Sequence, residues 1–384
     1  MKVFFRRIHL YLALGAGLII MVTCLTGAIL VFEKELMQLF NKDRYYTATQ
    51  SKRLPLDDLI KVVTAAEPAA KISSVKVYSN PERTVEISFT KKFATKKKEI
   101  ASQKNPGKKE QAKPAEGTRL LAFVDPYNGK LLEVYNHRES FFYWVMDVHR
   151  WMLGGDIGKI VVGISTLVFL VIILTGLILW WPRNRQILRQ RLKIKADAGF
   201  KRLNHDYHIV FGFYSAIFLL VFAFTGLAWS FEWFNKGIYT VTGTSMERPK
   251  APKSELRDST SVISMEQALQ SVTHKIDNAV YYNLAVPKDS SEAFSVSLLA
   301  LSAPHESASD TYYVDAYSGE IAGMQLFKDR NTGQRVRATF KPVHVASIYG
   351  VPSKIIGLLA CLLGTFFPAS GIIMWYNRTW RRRK

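Results

Sequence analysis

Four of the eight histidines stand in matched surroundings, and imidazole is a side chain well suited to holding a metal at membrane depth. His9 is followed 17 positions on by Thr26-Gly27 and then by Glu33; His208 is followed at the same offsets by Thr225-Gly226 and Glu232. His149 precedes Thr175-Gly176 by 26 residues, and His344 precedes Ser370-Gly371 by 26. Lys159 and Lys354 each lie 10 positions after these histidines, and Trp180 and Trp375 each lie 31 after. This register predicts a tandem duplication in which His9 pairs with His208 and His149 with His344. Imidazoles on facing helices are a common way for a bundle to hold haem iron. Two axial imidazoles leave no open position for oxygen chemistry, which suits electron transfer. Two six-coordinate haems, one near each membrane surface, would form a transmembrane electron path.

Zinc is the weaker alternative, because it wants about four ligands and the only extra candidates near either pair are His205, Asp206 and Asp147. His205 lies three residues before His208 on the same helical face and could replace it. The repeat aligns His205 with Arg6, so His208 is the favoured ligand, leaving His205 to contact a propionate or lie at the interface. Glu33 and Glu232 read as interfacial charges or as contacts to an iron substrate or a haem edge. His137, His274 and His305 show no spacing that suggests a site.

The elements that must carry these residues are apolar. Four uncharged runs, 10–32, 160–181, 209–231 and 355–376, are each long enough to cross about 30 Å of hydrocarbon at about 1.5 Å per residue. Basic residues gather before the first run, between the second and third, and after the fourth, which predicts cytoplasmic termini and a bacterial inner-membrane location. Much of the formal charge of +21 is thereby a matter of topology, and no interleaved basic and aromatic nucleic-acid motif occurs. The first run reads as a retained anchor, since no small-residue cleavage pattern follows it. Cys24 and Cys361 lie inside apolar runs and read as small packing residues.

The predicted fold class is a membrane protein: a four-transmembrane-helix bundle from a tandem repeat, with two periplasmic α+β modules. The expected order is 1–34, cytoplasmic start and first span; 35–140, first module; 141–182, periplasmic approach and second span. A basic cytoplasmic loop, 183–207, leads to the third span, 208–234, the second module, 235–342, the approach and fourth span, 343–377, and a cytoplasmic tail, 378–384. The modules show helical spacing at 56–66 and 263–272 and strand alternation around the turns at 126–129 and 316–319. Residues 91–117 form a Lys-, Ala- and Pro-rich insertion, read as a mobile hairpin or a docking place for an anionic partner or lipid head group. A chain from His149 to Trp180 is too long for one spanning helix, and Gly154-Gly155 and Gly350-Val351-Pro352 offer breaks; a short helix bent back onto the bundle is expected to carry His149 and His344.

RRIHLYLALGAG, DVHRWMLG, WWPRNR, NHDYHIVFG and PVHVASIYG, with module endings VDPYNGKL and VDAYSGEI, together resemble the PepSY-associated transmembrane family over nearly the whole chain. Members include inner-membrane ferric siderophore reductases of the FoxB type. The resemblance implies PepSY-like modules and two haem b groups held by His9, His208, His149 and His344. The expected activity is electron transfer to a periplasmic ferric siderophore. No G-x-G-x-x-G follows a strand, so the donor is expected to be external, a quinol or a cytoplasmic reductase. Two other classes compete: a non-enzymatic transport or assembly subunit that binds through its modules, and a protein that handles haem transiently.

Overall fold

A computed structural model describes residues 1–91, 117–254 and 261–379. The predicted basic insertion, apart from its two end residues, and the tail beyond Thr379 lie outside these.

Helix α1 (Lys2–Leu30) starts in the basic N-terminal turn and runs through the first apolar stretch. It is followed by short helices α2 (Glu33–Phe40), α3 (Lys42–Tyr45) and α4 (Leu56–Ala66). Strands β1 (Lys71–Tyr78), β2 (Val85–Lys91), β3 (Thr118–Val124) and β4 (Leu131–Tyr135) come next, then α5 (Phe141–Trp151) and the long α6 (Gly155–Trp180). The turn α7 (Arg185–Arg191) connects to α8 (Phe200–Ser230), and α9 (Glu232–Thr242) and α10 (Met265–Thr273) follow. Strands β5 (Ala279–Ala285), β6 (Phe294–Ala300), β7 (Asp310–Val314) and β8 (Ile321–Gln325) lead to α11 (Thr332–His344) and α12 (Val351–Thr379).

Among the described residues, helices α1, α6, α8 and α12 are the four long and apolar enough to cross a membrane. They exceed the uncharged runs because polar turns at their ends stay helical: α8 begins nine residues before its apolar run. Each of α1 and α8 packs against both α6 and α12, which closes the four into a bundle. Leu18, Ile164, Ile217 and Leu359 remain exposed on the outward faces, a surface suited to lipid. Small residues let the inner faces approach: Cys24 and Gly364 meet so closely that a Cβ on the glycine would lie 2.7 Å from the cysteine sulfur.

The strands form one eight-stranded antiparallel sheet in the order β4-β3-β2-β1-β5-β6-β7-β8. The strands of the two soluble segments join here, because β1 and β5 pair from Ser74↔Ala285 to Tyr78↔Tyr281. Each four-stranded half alone would expose an unpaired edge at this strand, and joining the edges satisfies both. Alternation turns Val75, Val77, Ile87, Phe89, Leu284 and Val296 to one face, where α4 and α10 cover them in a single core. Burying each large apolar side chain there is worth roughly 1.5–3 kcal/mol.

The two covering helices also cap each other. Asp57 accepts the backbone N–H groups of Met265 and Glu266, each at 3.1 Å, and Glu266 accepts the N–H of Leu56 at 3.1 Å. These donors have no partner within their own helix, and a carboxylate there also meets the positive end of the helix dipole. Leaving the sheet, α5 and α11 return to the bundle before the chain turns into α6 and α12. Left-handed residues make the turns: Met152, Leu153 and Gly155 in the first, Ala346 and Gly350 in the second. At Gly158 α6 passes so close beneath α5 that a Cβ would lie 1.6 Å from the Trp151 carbonyl oxygen.

Candidate functional site

The four repeated histidines meet the four repeated Thr-Gly or Ser-Gly pairs, each from a neighbouring element. His9 on α1 places Nδ1 3.0 Å from the Ile172 carbonyl and 3.1 Å from the Thr175 hydroxyl on α6. His149 on α5 places Nδ1 3.0 Å from the Thr23 carbonyl and 3.1 Å from the Thr26 hydroxyl on α1. His344 on α11 repeats this on α8, with the Phe222 carbonyl at 3.0 Å and the Thr225 hydroxyl at 3.1 Å. His208 on α8 reaches the Ser370 hydroxyl of α12 at 2.6 Å.

These contacts set the tautomer. A carbonyl only accepts, so Nδ1 of His9, His149 and His344 must carry the proton and donate it. The Ser370 hydroxyl donates to the Phe367 carbonyl at 3.0 Å, which leaves it to accept from His208 Nδ1. Each neutral ring therefore keeps its lone pair on Nε2, and among the described residues no Nε2 of the four makes a hydrogen bond. A ring nitrogen fixed by a backbone carbonyl with the other left free is the arrangement found around histidine metal ligands.

The glycine after each hydroxyl residue supplies the space. A Cβ on Gly27, Gly176 or Gly226 would lie 3.1–3.3 Å from Cε1 of the cradled ring, and on Gly371 3.7 Å. The Thr-Gly and Ser-Gly pairs are thus seats in which hydroxyl and bare backbone together receive one imidazole. Their recurrence was visible in the sequence; their role was not.

His149 and His344 face each other with ring centroids 6.2 Å apart and planes inclined at 61°. Trp229 at 5.3 Å and Phe222 wall the His344 ring. Arg150 follows His149 in the chain, and Arg337 lies over the Trp229 ring.

His9 and His208 line one cavity of about 1690 Å³ at the opposite, basic end of the bundle. That is larger than the roughly 300–1,000 Å³ of an ordinary small-molecule pocket. Arg6, Arg7, Arg202 and Arg378 also line it. Trp180 stacks on Phe213 in its wall, with centroids 3.7 Å apart, and its buried indole Nε1 has no hydrogen-bond partner among the described residues. A flat apolar cofactor with anionic arms fits this donor set: two free imidazole nitrogens, apolar walls, and an arginine rim. Among the described residues no three His, Cys, Asp or Glu side chains converge as a metal cluster, so the pairs have no further protein ligands of the kind zinc takes.

His205 lines the same cavity but is exposed, with Nδ1 3.4 Å from Asp206 Oδ1. Asp206 is buried and bound by Arg202 at 2.8 Å. Asn204, buried beside them, donates to the Ser370 carbonyl at 3.1 Å and so ties α8 to the seat of His208; nothing in the sequence pattern singled it out. The two glutamates differ. Glu232 forms an exposed ion pair with Lys236 at 2.7 Å, whereas burial pushes the Glu33 carboxyl above its usual range, opposed by the charge of Lys341. His137 packs edge-on to Tyr143, and His305 edge-on to Phe327, away from either histidine pair.

Residues 6–378 match the model of the family described as the PepSY-associated TM region. The chain belongs to that family. No curated protein matches it. PepSY-associated membership and the four apolar helices make this a multi-pass membrane protein with an antiparallel PepSY-like domain.

Proposed function

We propose that this PepSY-associated membrane protein is a di-haem electron carrier that reduces a ferric siderophore. The observation that carries the reading is the set of four seated histidines, each with Nδ1 bound and Nε2 free. His9 and His208 would hold one haem b and His149 and His344 the other. When bound, these groups supply reversible one-electron chemistry at two depths in the bundle. The protein's own part is to fix ring orientation through the Thr-Gly and Ser-Gly seats, to supply arginines for the acidic arms, and to exclude water with its aromatic walls.

On this reading the chain is a tandem duplication, each half carrying one histidine at each end of the bundle. The basic end, with both termini, faces the cytoplasm of a bacterial inner membrane, and the sheet lies in the periplasm. An external donor, quinol or a cytoplasmic reductase, delivers electrons at the basic end. A ferric siderophore takes one at the sheet end; Fe(III) becomes Fe(II), which binds hard oxygen ligands more weakly and leaves the chelator.

The deciding measurement is a reduced-minus-oxidised absorption spectrum of the detergent-purified full chain with haem quantified per polypeptide. Two low-spin b-type haems are expected. A colourless protein from haem-sufficient cells would remove the electron-carrier reading and favour a binding subunit.

A further inference from the structure

The cavity of about 1690 Å³ that His9 and His208 share is larger than one occupant of roughly 300–1,000 Å³ fills, and it opens at its side as well as at its arginine-lined mouth. Helices α1 and α12 touch at Gly17, where a Cβ would lie 3.3 Å from Pro368, and further from the basic end the Cys24–Gly364 contact keeps them together. Pro368 sits inside α12, and a proline in a helix interior removes a backbone hydrogen bond and favours a bend. From that point toward the basic end the cavity wall includes Tyr11 and Leu14 of α1 and Ile372 and Trp375 of α12. These four side chains are 67%, 42%, 50% and 37% exposed. A side chain that lines a cavity and is also this exposed stands at an opening, so among the described residues the gap between the two helices is open at its flank. All four lie within the uncharged apolar runs, so the flank meets hydrocarbon.

The opposite side of the bundle shows a closed flank. Trp180 stands 31 residues after His149 and Trp375 31 after His344; Phe213 stands five after His208 and Leu14 five after His9. Between α6 and α8 the tryptophan and the phenylalanine stack with centroids 3.7 Å apart, and Trp180 is only 8% exposed. Between α12 and α1 the matching position holds a leucine, which has no ring to stack, and Trp375 stays exposed. A phenylalanine on one side and a leucine on the other thus accompany a sealed flank and an open one. The open flank leads from the apolar surface into the cavity of the two free imidazole nitrogens.

We propose that the gap between α1 and α12 is a portal through which a lipid-soluble hydroquinone, a flat ring on a long apolar tail, enters from the bilayer beside the His9–His208 pair. This rests on the electron-carrier reading, and it commits the donor left open there to one chemical class. A phospholipid chain needs no route to the imidazoles, and a water-soluble nucleotide or reductase needs no opening toward hydrocarbon. A donor with an apolar tail and a redox-active ring uses both ends of the path. Tyr11 and Trp375 offer flat amphipathic faces to such a ring at the level where membrane aromatics gather. On oxidation the hydroquinone becomes the quinone and gives up two electrons and two protons. One electron goes to each of the two ferric haem irons that the reading assigns, giving Fe(II), and the protons pass to water at the mouth lined by Arg6, Arg7, Arg202 and Arg378.

The test uses the full chain, purified from haem-sufficient cells, in phosphatidylcholine nanodiscs. A photoreactive azido-quinone with a decyl tail is expected to label α1 and α12 around Leu14 and Trp375, to be displaced by excess decylubiquinone, and to leave α6 and α8 unlabelled. Decylubiquinol, added without oxygen, is expected to reduce the haem absorbance. Leu14→Phe supplies the missing ring opposite Trp375. It should lower both the labelling and the rate of reduction by decylubiquinol at least about tenfold, the effect of overfilling a gap, whereas dithionite, which arrives through water, should reduce the haem at the parent rate. Ile372→Phe narrows the other side and should act in the same direction; both positions are exposed, so neither change disturbs a packed core. Label confined to α6 and α8, label that decylubiquinone does not displace, or parent-like labelling and reduction in both variants overturns the proposal. If the label and its loss in Leu14→Phe are found in a chain that carries no haem, the quinone portal stands and the electron-carrier reading falls. If haem is present and dithionite reduces it, but the azido-quinone leaves the chain unlabelled and decylubiquinol leaves the haem oxidised, the portal falls and the electron-carrier reading keeps a water-soluble donor.

Discussion

Replacing Thr26 by Val tests the idea that the hydroxyl residues seat the histidines. Valine keeps the branched shape but removes the oxygen 3.1 Å from His149 Nδ1, while the Thr23 carbonyl at 3.0 Å still accepts the same proton. The tautomer is therefore preserved, and what is lost is one of two acceptors on a shared donor. A neutral hydrogen bond of this kind is worth about 1 kcal/mol, which is about a fivefold change in an equilibrium constant. It falls just below the tenfold to hundredfold range typical of losing an entire partner behind a metal ligand, as the retained carbonyl requires. The assay is haem transfer from the purified chain to excess apomyoglobin, which resolves one fast and one slow population if the two sites differ. Thr26→Val should speed loss from one site about fivefold, Thr26→Ser should restore the parent rate, and the second site should be unchanged. If Thr26→Val releases haem at the parent rate, or speeds both sites equally, the seat does not hold the ring and the reasoning fails.

Gly158→Ala puts a methyl 1.6 Å from the Trp151 carbonyl oxygen, so α5 and α6 must separate; we expect the haem at the His149–His344 site to be lost with the other retained, read as half the haem per chain. Asp57→Ala removes the acceptor of two α10 N–H groups and should cost about 2 kcal/mol, seen as a lowered thermal midpoint of the full chain. Because the Lys76 pKa is lowered in the folded state, the unfolded chain holds more protons at pH values between the folded and the ordinary lysine value. Stability should therefore rise with pH through that alkaline window, and denaturant titrations of Lys76→Met should show a flatter slope there. Asn204→Ala leaves the Ser370 carbonyl without its cross-helix donor and should loosen haem at the His9–His208 site while sparing the other, judged by the same transfer assay.

The spans, the strand alternations around the two Gly turns, and the helix at Leu56–Ala66 were legible in the sequence because each depends on neighbours within a few residues. Hydropathy over some twenty positions and a period of two or of 3.6 are local quantities. The candidate histidines were legible for a different reason: they occur in two matched sets, each at an equal offset from a Thr-Gly or Ser-Gly pair further along the chain. The break before α6 and α12 was visible as well, since a single helix from His149 to Trp180 would overrun the membrane.

Only the tertiary structure decided what those repeated pairs are for. Thr26 seats His149 and Thr225 seats His344, across separations of 123 and 119 positions, so no window along the chain contains both partners. The fusion of the strands into one sheet was hidden in the same way: β1 and β5 each look like an ordinary half-buried strand, and which edge meets which depends on how the bundle brings the halves together. Asn204 and Lys76 show the limit most plainly, because one is a polar residue among polar neighbours and the other a lysine in an alternating strand. Their importance comes from what surrounds them, the Ser370 carbonyl for one and, for the other, partial burial against the Tyr78 and Tyr281 rings. Composition and periodicity determine which elements form and which face of each is apolar; the environment of a buried polar group is a property of the assembled fold.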